Sequence, residues 1–379
     1  MADTNTDSEA TASESVSQLR GERRGARNAS AEASAVDPKA EAIDEGLLRE
    51  PADRGIRLIA LSLVDDAHHA AEKLLQQSGD LRDGDTDGDD ALHDFRVAVR
   101  RLRSWIRAFR PQLERDLTRK RRRRLSKIAE ATNAIRDATV HLEWLRAERR
   151  ASTPRERAGH KWLAERLSTV HANGSGPALR AAHDLEDMVD KLTRRLNVYC
   201  SAVLSVEPPA RFGTVLAARV LEESEALQSR LAGIDGMGDV EGAHRARIAA
   251  KHLRYVAEPA STVIPDGDSI IETLKSLQNA LGDLHDVHVF SKEIVTAAEE
   301  AAASQTRRVS EAVLGESPDL RAVRRARSSD PVPGILHLAT RLHDRGARAY
   351  ADIERDWLEG AGASFFDRVR DFAARIASA

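Results

Sequence analysis

An all-α fold, arranged as two antiparallel four-helix bundles related by internal duplication, is predicted by three observations in this 379-residue sequence. Apolar residues recur at intervals of three and four along most of the chain, the period of one helix face. Charged residues make up 31% and aromatic residues 4%, a balance that suits Ala-, Leu- and Arg-rich helices and leaves little Val, Ile, Tyr and Phe for sheets. The third observation is a basic helical segment written twice: HDFRVAVRRLR at 93–103 returns as HRARIAAKHLR at 244–254. A constant offset of 151 residues pairs His93 with His244, Arg96 with Arg247, Val97 with Ile248, Arg100 with Lys251, Leu102 with Leu253 and Arg103 with Arg254. A repeat this far apart indicates a duplicated fold rather than a short solenoid unit.

Residues 1–52 are rich in Ser, Ala, Glu, Thr and Asp and are expected to form a disordered acidic tail, because they hold too little apolar surface to offset the entropy of ordering. From Ile56 the series Ile59, Leu63, Ala67, Ala70, Leu74 marks the first helix. An acidic Gly/Asp loop at 80–90 precedes a second helix, about 91–110, that stops near Pro111. A long third helix is expected over about 115–150, and Pro154 starts a fourth that breaks or kinks at Asn173-Gly174-Ser175-Gly176-Pro177 and resumes to about Val206. Pro208-Pro209 divides a first bundle (53–207) from a second (208–360). In the second the order returns: a helix at about 211–232, a Gly-rich turn, the second basic helix from about 240, a turn at Pro265-Asp266-Gly267-Asp268 and a long helix to about 304. A polar stretch at 315–332 leads to a last long helix from Pro333 to about 358, and 361–379 carries a short terminal helix, Phe365 to Ile376. A second echo, Ile135-Arg136-Asp137 against Leu284-His285-Asp286, has an offset of 149; the two-residue slip falls in a turn, where length changes cost little.

The net charge of −3 averages unlike segments: residues 91–127 hold fourteen Lys or Arg against Asp94, Glu114 and Asp116. Cys200 is alone, so no disulfide framework is expected and a reducing, cytoplasmic setting is the default. No apolar run approaches the roughly 18 residues of a membrane span, and the N-terminus lacks a secretory signal.

At 100° per residue, His93, Arg96, Arg100, Arg103 and Arg107 share one helix face, while Leu92, Phe95, Val99, Leu102, Ile106 and Phe109 run one residue earlier along the adjoining flank. The second copy repeats this with His244, Arg247, Lys251 and Arg254 beside Ala243, Ala246, Ala250, Leu253 and Ala257. One flank is expected to pack while the other presents cations, with the adjoining Arg101 and His252 counted among the candidate contacts. A merely solvated face would mix signs, because opposite pairs at i,i+4 stabilise a helix by about 0.2–0.5 kcal/mol and like pairs cost as much. A stripe of one sign, kept twice, points to a polyanion. Arginine outnumbers lysine by forty-nine to nine, and its planar fork bonds phosphate oxygens bidentately, so phosphate is favoured over carboxylate. A chain of phosphates fits such a row better than a single one. Tyr255 reads equally as a hydroxyl donor at the rim and as a buried structural ring.

These residues carry a resemblance. His93-x-x-Arg96-Val97-x-x-Arg100-Arg101-Leu102-Arg103 and His244-x-x-Arg247-Ile248-x-x-Lys251-x-Leu253-Arg254-Tyr255 resemble the signature of the conserved-histidine α-helical domain (CHAD) family, and Arg136-Asp137 and His285-Asp286 resemble its second motif. There Leu281-Gly282 fits the family's Leu-Gly, whereas the first copy has Thr132-Asn133. The resemblance spans about residues 56–358. It implies two four-helix bundles about a pseudo-two-fold axis, with a basic central cavity that binds inorganic polyphosphate. The Glu-x-Glu-x-Lys motif of the triphosphatase domain fused to some members is not found, so the chain looks like a stand-alone binding version, for which polyphosphate granules are a place of association.

Other candidates divide more evenly. The signature histidines read as phosphate contacts, as structural residues at a helix start, or as metal or phosphotransfer groups; metal is disfavoured among arginines. His141, His285 and His288, near Asp137 and Asp286, are expected to orient stripe arginines. Asp83-x-Asp85-x-Asp87-Gly88 resembles the opening of a calcium loop, but Asp94 stands at its twelfth position and Asp90 at its eighth. The run Arg119–Arg124 reads as an extension of the polyanion track or as a solvated face. No Walker loop, dinucleotide fingerprint, zinc Cys set or nucleophile elbow is present. The sequence is therefore expected to encode a binding protein with no catalytic residues, metal or cofactor. A phosphohydrolase or phosphotransferase using the histidines, or a nucleic-acid binder, are the alternatives. Nucleic acid ranks lower because few aromatic residues interleave the stripe for base stacking.

Overall fold

A short helix capped by Asp44 opens the described residues, and two unusually long helices of 43 and 48 residues run through the fold. The computed structural model describes residues 44–148, 153–198, 209–314, 319–359 and 362–379. Residues 1–43 of the expected tail, Cys200 and the Pro208 boundary lie outside them. Among the described residues every regular element is a helix, and the β features amount to one isolated antiparallel bridge, Pro51 with Arg211.

The order is α1 (Glu45–Arg49), α2 (Ala52–Gln76), α3 (Ser78–Asp83), α4 (Thr86–Ala108), α5 (Arg110–Leu113), α6 (Arg119–Glu130), α7 (Asn133–Ala147) and α8 (Pro154–Leu196). It continues with α9 (Phe212–Ala232), α10 (Val240–Ala257), α11 (Gly267–Leu314), α12 (Leu320–Ser328), α13 (Val332–Ile353) and α14 (Gly362–Ser378). The two basic segments are α4 and α10.

Five features differ from the expected ones. The ordered chain starts before residue 53: Asp44 caps α1 by accepting from the Leu47 N–H, and Leu48 is 1% exposed. The bridge that follows is reciprocal, with the Ala52 N–H donating to the Ala210 carbonyl at 2.9 Å and the Phe212 N–H to the Glu50 carbonyl at 2.8 Å. The acidic loop is mostly helix: α3 ends at Gly84, left-handed with φ 74°, and α4 is under way at Thr86. A twelve-residue calcium loop therefore does not form there.

The long third helix is two, α6 and α7, parted at Thr132. The Thr132 hydroxyl donates back to the Ala129 carbonyl at 2.8 Å, and Arg96 donates to the Thr132 carbonyl. Conversely, α8 runs 43 residues through Asn173–Pro177 without a break. Its glycine serves close packing, since a Cβ on Gly174 would stand 2.7 Å from the Ile135 Cβ of α7. The start of α8 is a capping box between Thr153 and Glu156 with Pro154 in the first turn. The polar stretch before α13 also contains a helix, α12.

Residues 40–379 form one compact unit. The larger core draws on α1, α2, α4 and α8 and equally on α9, α10, α11 and α14; Ile56, Phe95, Trp105, Phe212, Leu253, Leu274 and Phe372 are all fully buried in it. A smaller core joins Trp144, Leu163 and Leu167 to Phe290, Ile294, Ile335 and Leu338, the outer parts of α7, α8, α11 and α13. Both cores therefore contain residues from both sides of residue 208, and α4 packs directly on α10. The two basic helices meet inside this shared packing.

A candidate anion-binding site

Burial separates the two residue series of α4 as their spacing requires. Leu92, Phe95, Val99, Leu102, Ile106 and Phe109 are at most 3% exposed, and Trp105 lies inside with its indole N–H donating to the Ile56 carbonyl at 2.9 Å. In α10, Ala243, Ala246, Ala250, Leu253 and Ala257 are at most 1% exposed, and the Gln278 amide of α11 donates to the Ala250 carbonyl at 3.0 Å. Each basic helix is thus anchored by its apolar flank.

On the other flank the structure brings together His93, Arg96, Arg100 and Arg103 from α4, His244, Arg247 and Lys251 from α10, and Arg136 from α7. Arg100 is the common neighbour, close enough to depress the pKa of His93, Arg96, Arg103, Arg247 and Lys251. A recess of about 90 Å³ opens along α4, lined by Arg96, Arg100 and Arg103 with Glu130, Thr132 and Asn133.

These cations are unusually poor in counter-charges. Burial, aided by Arg100 and Arg136, pushes Arg96 down to about 9 and Arg247 to about 10. Burial and the charges of Arg100 and Arg247 hold Lys251 well below a normal lysine. Among the described residues Arg100, Arg247 and Lys251 have no hydrogen-bond or ion-pair partner, and the Arg247 Nε is buried without one. The one acidic group set deep in the cluster, Asp286 of α11, is taken by Arg136 through a two-pronged contact of 2.7 and 3.1 Å. Burial opposes both charges, yet the pair holds Asp286 low and Arg136 high.

The imidazoles share this environment. His244 and His285 lie with ring centroids 5.0 Å apart, each with a buried Nδ1 lacking a partner. Burial, with Arg247 adding to it, lowers His285 to about 3, and burial with Arg107 and Arg103 lowers His252 to about 4. His141 is 4% exposed and stacks on Phe290 at 4.0 Å, while the His288 Nε2 meets the Met237 carbonyl at 3.0 Å. No stripe arginine is oriented by an Asp–His pair: Asp286 holds Arg136 instead.

Several sequence candidates lie apart from the cluster. Arg101 is 3% exposed and donates to Glu258 at 2.8 Å, so it is an internal ion pair and not a contact for ligand. Arg254 and Tyr255 are 9% and 3% exposed, with the guanidinium 4.6 Å over the phenol ring; the rim-donor reading of Tyr255 is corrected to the structural one. Arg107 donates to the buried Glu223 at 2.5 Å. In the Arg119–Arg124 run, Arg121 and Arg122 donate to the Asp116 and Leu117 carbonyls just before their own helix, and Arg124 pairs with Asp184 of α8 at 2.6 Å.

The departure of the first copy from Leu-Gly makes the two walls unequal. Arg96 donates to the Thr132 carbonyl and hydroxyl and to Asn133 Oδ1 at 3.3 Å. At the position equivalent to Asn133 the second copy has Gly282, and a Cβ there would stand 3.9 Å from the Arg247 Nε. Arg96 is therefore tethered and Arg247 is not. Gly282→Asn is expected to tether Arg247 and to weaken polyanion binding about three- to tenfold, since a guanidinium already bonded has less to gain from a ligand. Calorimetric titration checks it, and unchanged affinity defeats the tether.

A bound polyanion must raise these depressed pKa values, so binding takes up protons. Arginines keep their charge near neutrality in any case, which leaves Lys251 and the lowered imidazoles of His93, His244 and His285 as the groups at stake, Lys251 in the alkaline range. Affinity is expected to rise as pH falls from about 10 through the ligand-free pKa of Lys251, because the charged form is the one that binds. Titrations in buffers of different ionisation enthalpy, run across the alkaline range with the parent and with Lys251→Arg, should show fewer protons absorbed by the variant; equal uptake at every pH would remove Lys251 as the group that titrates.

A family model described as CHAD domain matches residues 65–295. The crystal structure of the CHAD domain from the plant Ricinus communis superposes with a TM-score of 0.54 at 18% identity, covering 76% of this chain and 94% of that one, a likeness of fold. No curated protein matches the sequence.

Proposed function

Since this chain belongs to the CHAD family, we propose that it binds inorganic polyphosphate along the row of cations formed by α4 and α10, as a binding protein and not an enzyme. One observation carries the reading: Arg100, Arg247 and Lys251 crowd together without an ion-pair or hydrogen-bond partner among the described residues, while Asp286, the carboxylate beside Arg247, is occupied by Arg136. Like charges held this close raise the free energy of the empty protein, and a linear polyanion lowers it by neutralising several at once. Arg96 and Arg103 extend the row along α4, with His93 and His244 at its margins. A chain laid across these side chains meets a phosphate-binding group about every helical turn. Setting and location follow from the ligand: the cytoplasm, at polyphosphate granules. Among the described residues no helix is long and apolar enough to cross a membrane.

Competition between long polyphosphate and duplex DNA of matched charge, read by fluorescence anisotropy at roughly physiological salt, tests the ligand. Polyphosphate is expected to bind at least tenfold tighter, with log affinity falling linearly in log salt as counterions are released. Equal affinity for DNA would defeat the ligand assignment and leave only a general polyanion surface. Release of orthophosphate on incubation with divalent metal would reassign the protein as a hydrolase.

A further inference from the structure

The fold holds a second recess, of about 210 Å³, among α3, the first turn of α4, α7 and α8. It lies at the far end of the cationic face, because Asp89 stands one helical turn before His93 on α4. His171 of α8, 5% exposed, lines it. The His171 Nε2 is 2.9 Å from Asp89 Oδ1, and the Thr139 hydroxyl donates to the same oxygen at 3.3 Å. A carboxylate so placed fixes the ring hydrogen on Nε2 and sets the ring's orientation.

The other ring nitrogen is left over. The His171 Nδ1 has no hydrogen-bond partner among the described residues and faces the Gly84 turn, where a Cβ would stand 3.9 Å away. Two exposed guanidiniums, Arg82 of α3 and Arg146 of α7, line the same recess, and neither has an ion-pair or hydrogen-bond partner among the described residues. Apart from Asp89, the one carboxylate in the lining is Asp83.

We infer that this recess is a second anion site that holds one terminal phosphate group, whether the end of a polyphosphate chain or a free phosphate. Arg82 and Arg146 supply bidentate donors to the non-bridging oxygens. The His171 Nδ1 accepts from a P–OH, a hydrogen that only a terminal phosphate carries, or donates to P–O⁻ once the ring is protonated. Asp83 and Asp89 offset the two guanidinium charges, so the recess suits one phosphate group held by directed hydrogen bonds and repels a run of them. Binding of free phosphate here does not depend on the polyphosphate reading; only the chain-end source does.

The test uses the full chain with isotope-labelled histidine, titrated with orthophosphate and separately with tripolyphosphate while the ring signals are followed by NMR. His171→Gln identifies the His171 signal; should that variant not fold, its response to Arg146→Gln identifies it. The signal is expected to move saturably, and Arg82→Gln with Arg146→Gln, both at exposed positions, to weaken the response at least tenfold. Saturation by tripolyphosphate alone assigns the chain end, and saturation by both assigns any terminal phosphate. A signal that stays still, or that moves equally in the double variant, overturns the site. The same titration in Arg100→Glu/Lys251→Glu protein separates the two proposals, since the cationic row is then disabled and the His171 response is expected to persist.

Discussion

Asp286→Ala is expected to destabilise the protein by about 3 kcal/mol, and by clearly more than Arg136→Ala. The two side chains are 17% and 25% exposed and make a two-pronged contact between α11 and α7, and breaking a largely buried pair leaves an uncompensated charge. Which charge is left decides the size of the effect. Without Asp286, the Arg136 guanidinium stays among Arg96, Arg247 and Lys251, whose pKa values it already depresses. Without Arg136, the Asp286 carboxylate still has Arg247 beside it. Urea unfolding with an unchanged slope measures both losses. Equal losses would show that the cations do not repel one another appreciably, and the electrostatic case for the site would fall with that.

Arg100→Glu combined with Lys251→Glu is expected to lower affinity for long polyphosphate at least about a hundredfold at roughly physiological salt. Each substitution removes a charge-assisted contact of about 1.5–3 kcal/mol and adds a repulsion, and each tenfold corresponds to about 1.4 kcal/mol. The ligand-free variant is expected to melt no lower than the parent, because reversing two charges relieves crowding in the cluster. Arg110→Glu is the control: that side chain is 62% exposed and pairs only with Glu114, one turn away, so its reversal should change affinity by no more than about twofold. If Arg110→Glu matches the double variant, binding follows net charge and not the row.

Much of this was legible in the sequence. The all-α class and the two-sided character of α4 follow from local spacing, and local spacing survives folding. Adjacency to Arg100 does not place Arg101 on the stripe: its direction is about 100° from that of Arg100, which turns it to the far side and into contact with Glu258. Arg254 has the spacing of a stripe residue yet is buried on Tyr255. The flank of α10 is built of alanines, which let neighbouring helices approach closely, and periodicity carries no measure of that approach. Arg136 was noted as part of a motif but not as a member of the site, because its partner is 150 residues away. The break between α6 and α7 contains neither Gly nor Pro, and the Arg96 guanidinium that meets the Thr132 carbonyl there comes from a helix distant in sequence. The glycine-rich stretch of α8 has the composition of a turn, yet Gly174 serves contact with Ile135, which composition does not reveal.

The reciprocal bridge at Pro51 and Arg211 bears on how the molecule assembles. The first residues of α2 and α9 each lend a backbone N–H to the stretch before the other helix, the Ala52 amide to Ala210 and the Phe212 amide to Glu50. A self-complementary dimer makes contacts of this kind, the same patch serving on both sides. Here one chain supplies both sides, so their encounter is intramolecular and its effective concentration is set by the connecting chain. Dilution cannot separate the walls of the cationic row, and the protein presents its full length of charge however scarce it is.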